Sequence, residues 1–217
     1  MTGWAESDER RPDRFPWPPP TGTPVLEALG ATWRGAALDP AAFYVGLPRD
    51  GGTRAALLYY LIIGTLVAGA SLFWDSLGGL GAGMARERIG YDPSAGLGPL
   101  TAFLLSPLIL LIALAATALV VHALLRMLGD GDHGLDTTIR VLCYAYSPMI
   151  LGVVPVLGAL VGGTWMLVLA VIGLREAQET DGWRAWLAVF LPLVLIAVLT
   201  VVVALAILST GVGILTG

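Results

Sequence analysis

Between Arg140 and Arg175 the chain runs for 34 residues, Val141 to Leu174, without a charge. Soluble domains seldom hold such a run, because about a quarter of their residues are charged. A bilayer demands one. Its hydrocarbon core is about 30 Å thick and an α-helix rises about 1.5 Å per residue, so one crossing takes roughly 20 residues. The run is too long for one crossing and suits two short ones joined by a tight turn. Pro155 and Gly158 lie near its middle, where that turn belongs. Arg140 and Arg175 then stand at its two ends, as charged feet in water on one side of the membrane.

The rest of the chain repeats the pattern. Of its 217 residues, 56% are hydrophobic and 13% charged, and the apolar residues come in blocks without an amphipathic rhythm. The sequence predicts an all-α polytopic membrane protein. Five transmembrane helices are expected over a membrane domain at 51–217, at about 55–74, 99–125, 138–154, 156–174 and 185–208. Tyr59, Tyr60 and Trp74 fall toward the ends of the first, as interfacial aromatics do. Pro107 and Pro192 should kink the second and fifth, since proline removes a helix hydrogen bond and crowds the preceding turn. Residues 75–97 read as a water-exposed, glycine-rich loop.

Residues 1–24 read as a disordered, proline-rich cytoplasmic arm: a solvated tail in preference to a docking ligand. Met1 to Arg14 lacks the apolar core of a signal peptide. Residues 25–50 read as two amphipathic, interfacial helices. Val25, Leu26, Leu29, Trp33 and Ala37 share one face of the first, and Trp33 beside Arg34 suits the headgroup layer. Asp39 is a fit cap for the second and Pro40 fits its first turn, with Phe43, Tyr44 and Leu47 as its apolar face. With the N-terminus cytoplasmic, the inner loops hold Arg49, Arg54, Arg126, Arg140, Arg175 and Arg184, against Arg86 and Arg88 outside. That bias predicts N-in and C-out. All 12 basic residues are arginine, and there is no asparagine. This codon bias suggests a GC-rich bacterium and hence an inner (cytoplasmic) membrane.

Candidates for chemistry are few. Ion-coupled transporters keep ionisable residues at membrane depth. Here His122 alone lies inside a span, near its boundary. Asp130, Asp132, His133 and Asp136 resemble the start of a calcium loop, but Val141 stands where the closing glutamate belongs, and a polar glycine turn explains them as well. One cysteine, Cys143, and two histidines exclude a zinc pattern. The hydroxyls at depth are Ser106, Thr117, Tyr144, Tyr146, Ser147, Thr164 and Thr200, and such groups more often bond to backbone or bridge helices. Gly158 and Gly162 are four apart, a spacing that lets helices approach closely, inside one bundle or in a homo-oligomer. No cofactor, metal or catalytic residue is expected. The net charge of −4 gives no footprint for nucleic acid.

Several of these residues together resemble a known family. Asp39-Pro40 precedes the first span. Arg140, Tyr144, Tyr146, Ser147 and Pro148 resemble the family's arginine–tyrosine–proline segment in the third. Pro155 and Gly158 resemble its turn, with Gly162 beyond, and Gly173, Leu174, Arg175 and Glu176 resemble the end of its fourth span. The order is similar to that of the Yip-domain (Ypt/Rab-interacting membrane protein) family in its bacterial form. The resemblance implies a five-span fold without a catalytic residue. Eukaryotic members bind small GTPases through the arm and act in vesicle traffic, for which a bacterium offers no counterpart. The expected function is a non-enzymatic integral membrane protein, a scaffold or membrane organiser, whose partners are the lipid bilayer and an unknown protein at the cytoplasmic face. The alternative is a small-solute or ion transporter or channel; a membrane enzyme has least support.

Overall fold

The computed structural model describes residues 15–48, 51–76 and 98–216, and these are helical throughout apart from turns and connections. Among the described residues seven α-helices follow in order: α1 (Val25–Leu38), α2 (Pro40–Val45), α3 (Thr53–Ser76), α4 (Pro99–Met127), α5 (Gly134–Ala145), α6 (Leu157–Ala177) and α7 (Gly182–Thr216). A 3-10 helix, Ser147–Val153, joins α5 to the turn before α6. Among the described residues, four segments are long and apolar enough to cross a membrane: Thr53–Trp74, Leu100–Met127, Gly158–Ala177 and Gly182–Ala204. The chain is therefore a multi-pass integral membrane protein, all-helical over its described residues. The expected loop at 75–97 lies almost wholly outside the described residues.

The segment expected as a third transmembrane helix, 138–154, is not one helix. Its α-helical part starts earlier, at Gly134, and stops at Ala145. Pro148 explains the stop: it has no N–H for the carbonyl of Tyr144, and its ring crowds that turn. Ser147 Oγ donates to the Tyr144 carbonyl in its place. The backbone then tightens, with the Met149 N–H bonded to Tyr146 O at 2.9 Å. A 3-10 run of 7 residues is long for this geometry and needs outside support. Support comes from α6. A Cβ on Gly162 would lie 2.6 Å from the Pro148 oxygen, and one on Gly158 would strike the Leu151 carbonyl. The two glycines therefore bring α6 against the 3-10 backbone within the chain, while a Cβ on Gly163 would meet open space. Between the two elements lies the expected turn at Pro155.

α3 runs beside this broken element over its whole length. At one end Arg140 Nη1 donates to Gly51 O at 2.8 Å; at the other, the Trp74 indole donates to Val153 O at 2.8 Å. Between them the helices share an aromatic core. Tyr59 and Tyr60, expected at the lipid interface, are 0% and 4% exposed. Tyr59 lies 5.4 Å from Tyr144 and Tyr60 4.7 Å from Tyr146, ring centre to ring centre. Hydroxyl bonds explain why they turn inward: Tyr59 pairs with Ser147 Oγ at 2.9 Å, and Tyr60 donates to Leu110 O at 3.1 Å. Buried phenols need such partners.

The N-terminal segments close over this core. α1 buries Ala28, Thr32, Ala36 and Ala37, and leaves Val25 and Leu26 exposed, so its inward face is rotated from the expected one toward small residues. Trp33, expected among headgroups, donates its indole N–H to Ser147 O at 3.1 Å, and Trp165 donates to Ala37 O at 2.9 Å. The expected arm is not wholly free either. Trp17 is 3% exposed and donates to Ala55 O at 2.7 Å, and Phe15 packs at an angle against Phe43 and edge-on against Tyr144, at 4.9 and 5.5 Å between ring centres. Aromatic burial of this kind outweighs the extended preference of the prolines around it. Residues 1–14 lie outside the described ones.

Candidate functional site

The polar residues gather at one end of the bundle, where α4 and α6 stop and α5 and α7 begin. Both stops are built alike. Gly129 (φ 83°) follows the α4 cap, and Asp130 N–H reaches back to Leu125 O; Glu179 (φ 52°) follows the α6 cap, and Thr180 N–H reaches back to Arg175 O. These are Schellman endings, which satisfy carbonyls that a helix otherwise leaves open. The residues after the two left-handed positions then meet: the Thr180 hydroxyl donates to Asp130 Oδ2, and Arg184 Nη1 sits 3.0 Å from the same oxygen. The hydroxyl first, then the guanidinium, hold the Asp130 carboxyl below its ordinary value.

Behind this pair the network is buried. Gln178 Nε2 donates to Gly134 O at 3.0 Å and to Thr138 Oγ1 at 2.9 Å, and His122 Nδ1 lies 3.2 Å from that same hydroxyl. His133 Nδ1 lies 3.2 Å from Gln178 O, with Glu179 3.9 Å from its other nitrogen. Arg140, expected as a foot in water, is 2% exposed. Its guanidinium holds Pro48 O and Gly51 O, its Nε reaches Asp136 O at 3.3 Å, and Nη2 reaches Thr137 Oγ1 at 2.9 Å. A buried cation is stable only when its donors are used, and carbonyl oxygens use them here. Arg175 is the solvated foot, paired with Glu176. A cavity of about 490 Å³ opens beside Arg140, bounded by Tyr44, Pro48, His133, Thr137, Glu176 and Glu179 among others. Burial pushes the Tyr44 phenol up, Tyr59 adding to the effect, and its hydroxyl has no bonding partner among the described residues.

A family model of the Yip1 domain matches residues 34–205. The chain belongs to the Yip1-domain family. No curated protein and no solved structure matches it.

Within this Yip1 domain the motif residues divide into three groups. Tyr144, Tyr146, Ser147 and Pro148 meet α3 and α6 in the core. Pro155, Gly158 and Gly162 shape the turn and the close approach that follows it. Arg140, Gly173, Leu174, Arg175 and Glu176 lie at the polar end, where a Cβ on Gly173 would meet Val141 Cγ1 at 2.7 Å and Leu174 is 0% exposed. Asp39 does not cap α2 with its side chain; its carbonyl accepts the Phe43 N–H, and Pro40 takes the first turn as expected. Asp132 is paired with Arg126 at 2.9 Å, Asp130 is held by Thr180 and Arg184, and His133 meets Gln178 O, so three of the four loop residues considered for a metal have internal partners. Sequence reading missed Tyr59, Thr137, Thr138 and Gln178. Thr137-Thr138 three and two residues before a lone basic residue, Arg140, was the available signal.

Proposed function

We propose that this Yip1-domain protein is a non-enzymatic integral membrane protein that organises a protein partner and the surrounding bilayer through its polar end. The observation that carries the reading is the construction of that end. Two helix stops, a buried arginine clamp and the Gln178 network fix its loops rigidly around an open cavity, while Asp132 and Glu179 stand exposed. Rigid loops on a packed scaffold are suited to recognition. We assign this end to the cytoplasm of a bacterial cell, N-terminus inside, on the arginine bias.

The α5–3-10 element serves as a fifth, broken crossing in this reading, since Arg140 on it reaches Gly51 at one end of α3 and Val153 meets Trp74 near the other. With it the C-terminus falls outside. Three of the hydroxyls at depth are occupied internally: Ser147 by Tyr59, Ser106 by Phe103 O at 2.7 Å and Thr200 by Ile196 O at 2.8 Å. That argues for packing and against a membrane enzyme or a polar conduit. A photo-crosslinking residue at Asp132 or Glu179 in cells should capture the same discrete protein, and one at Leu160 or Val161 should not. Rapid solute flux in liposomes, abolished by Tyr146→Phe, would replace this reading with a channel.

A further inference from the structure

A second cavity, of about 440 Å³, lies within the membrane half of the bundle. α4 and α7 form its walls, and α5 and α6 its floor. Val120, Leu193 and Ile196 at the mouth are exposed, whereas Ala145 and Ala170 on the floor are buried. Its polar side chains are Tyr60, Thr117 and Tyr146, and the Tyr60 hydroxyl is already bonded to Leu110 O. Small residues keep it open: Ala113 and Ala116 on α4, Ala145 on α5 and Ala170 on α6.

Depth decides what can enter. Val120 lies about 9 Å along α4 from Arg126, and Ile196 about 18 Å along α7 from Arg184, at 1.5 Å per residue. A hydrocarbon core about 30 Å thick places that whole interval among acyl chains, away from headgroups and water. The mouth is also continuous with the exposed apolar surface of both walls, Ile112 and Leu119 on one and Leu195 and Leu199 on the other, which a membrane must cover.

We propose that the α4–α7 cleft holds one acyl chain of a bilayer lipid. Its mouth opens onto apolar surface that lipid already covers, so a neighbouring tail reaches it without a second copy of the chain having to dock. A hydrocarbon tail lying in it supplies the close contacts that an empty apolar lining lacks.

The test uses the full-length protein in vesicles of phosphatidylethanolamine and phosphatidylglycerol carrying a mid-chain diazirine on the acyl tail. After irradiation, labelled positions are read by peptide mass spectrometry. Floor residues Tyr146, Met166 and Ala170 should be labelled together with the outer positions Leu195 and Leu199. Ala116→Phe, an exposed position at the mouth, should abolish floor labelling and leave outer labelling unchanged. Ala113→Phe is the second variant, and the melting temperature of each shows that it is folded. The proposal is overturned if floor labelling is absent in the wild type, if it survives both substitutions, or if chain-to-chain crosslinks replace lipid adducts at the mouth.

Discussion

Adding one methyl group at Gly162 tests the packing that supports the broken helix. An alanine Cβ there would sit 2.6 Å from the Pro148 carbonyl oxygen and 3.2 Å from its carbon, where ordinary contact starts at 3.4 Å. Backbone, not a flexible side chain, must move. Overpacking of this kind costs about 1–3 kcal/mol. At Gly163 the same methyl meets nothing within 4 Å. Alanine there should gain up to about 1 kcal/mol from helix propensity. Gly162→Ala gains the same propensity, so the two single variants should differ by the overpacking cost alone, about 1–3 kcal/mol, with Gly163→Ala the more stable. At about 2–4 °C per kcal/mol for a chain of this size, that is a gap of several degrees in melting temperature. Differential scanning fluorimetry in detergent, with crosslinking for oligomeric state, reads both. Equal melting temperatures for Gly162→Ala and Gly163→Ala would refute the close approach. A Gly162→Ala protein that melts normally but loses a dimer would transfer that glycine to an interface between copies.

Three further outcomes follow from the network. Arg140→Met leaves the carbonyls of Pro48 and Gly51 without their charged donor and should cost about 3–5 kcal/mol, whereas Arg140→Lys, with fewer donors, should recover part of it; unfolding of both variants in detergent decides. Tyr59→Phe and Ser147→Ala should each destabilise by about 1–2 kcal/mol, and the double variant by less than their sum, because each removes the other's partner; a double-mutant cycle measures the coupling. The Asp130 carboxyl has its affinity for protons lowered by folding, so its contribution to stability is full above the ordinary carboxylate value of 3.8 and is lost as pH falls below it. Asp130→Asn should accordingly lower the melting temperature at pH 7 and converge with wild type in acid; a constant difference across that range would refute the assignment.

The sequence disclosed what hydropathy encodes. Uncharged length predicted α3, α4 and α6 within a few residues and the start of α7, which runs on past the expected end at 208 to Thr216, and Pro155 marked the turn. It misjudged positions where a partner far along the chain decides. Arg140 looked like a solvated end because nothing nearby in sequence shows that Pro48 and Gly51 carbonyls await it. Tyr59 and Tyr60 looked interfacial because a helix-end tyrosine is usually anchored in headgroups, but hydroxyl acceptors on the 3-10 helix and α4 draw them inward. The face of α1 was misread because a broad apolar stripe of Val25 and Leu26 outweighs Ala28, Thr32 and Ala36 on any hydropathy scale, while close approach selects the smaller set. At the candidate site, the charged loops were legible and the buried Thr138–Gln178 bond behind them was not.

The Arg140 clamp also sets a schedule for biogenesis. Its acceptor on Pro48 lies 92 residues earlier, and at about 5–20 residues per second a ribosome needs roughly 5–18 s to cover that distance. The Trp33 and Trp165 indoles join positions 114 and 128 residues apart, so the first two helices wait longer still. α1 is made early and docked late: Trp17 finds Ala55 within 38 residues, but the indole bonds of α1 are complete only when α6 has left the ribosome.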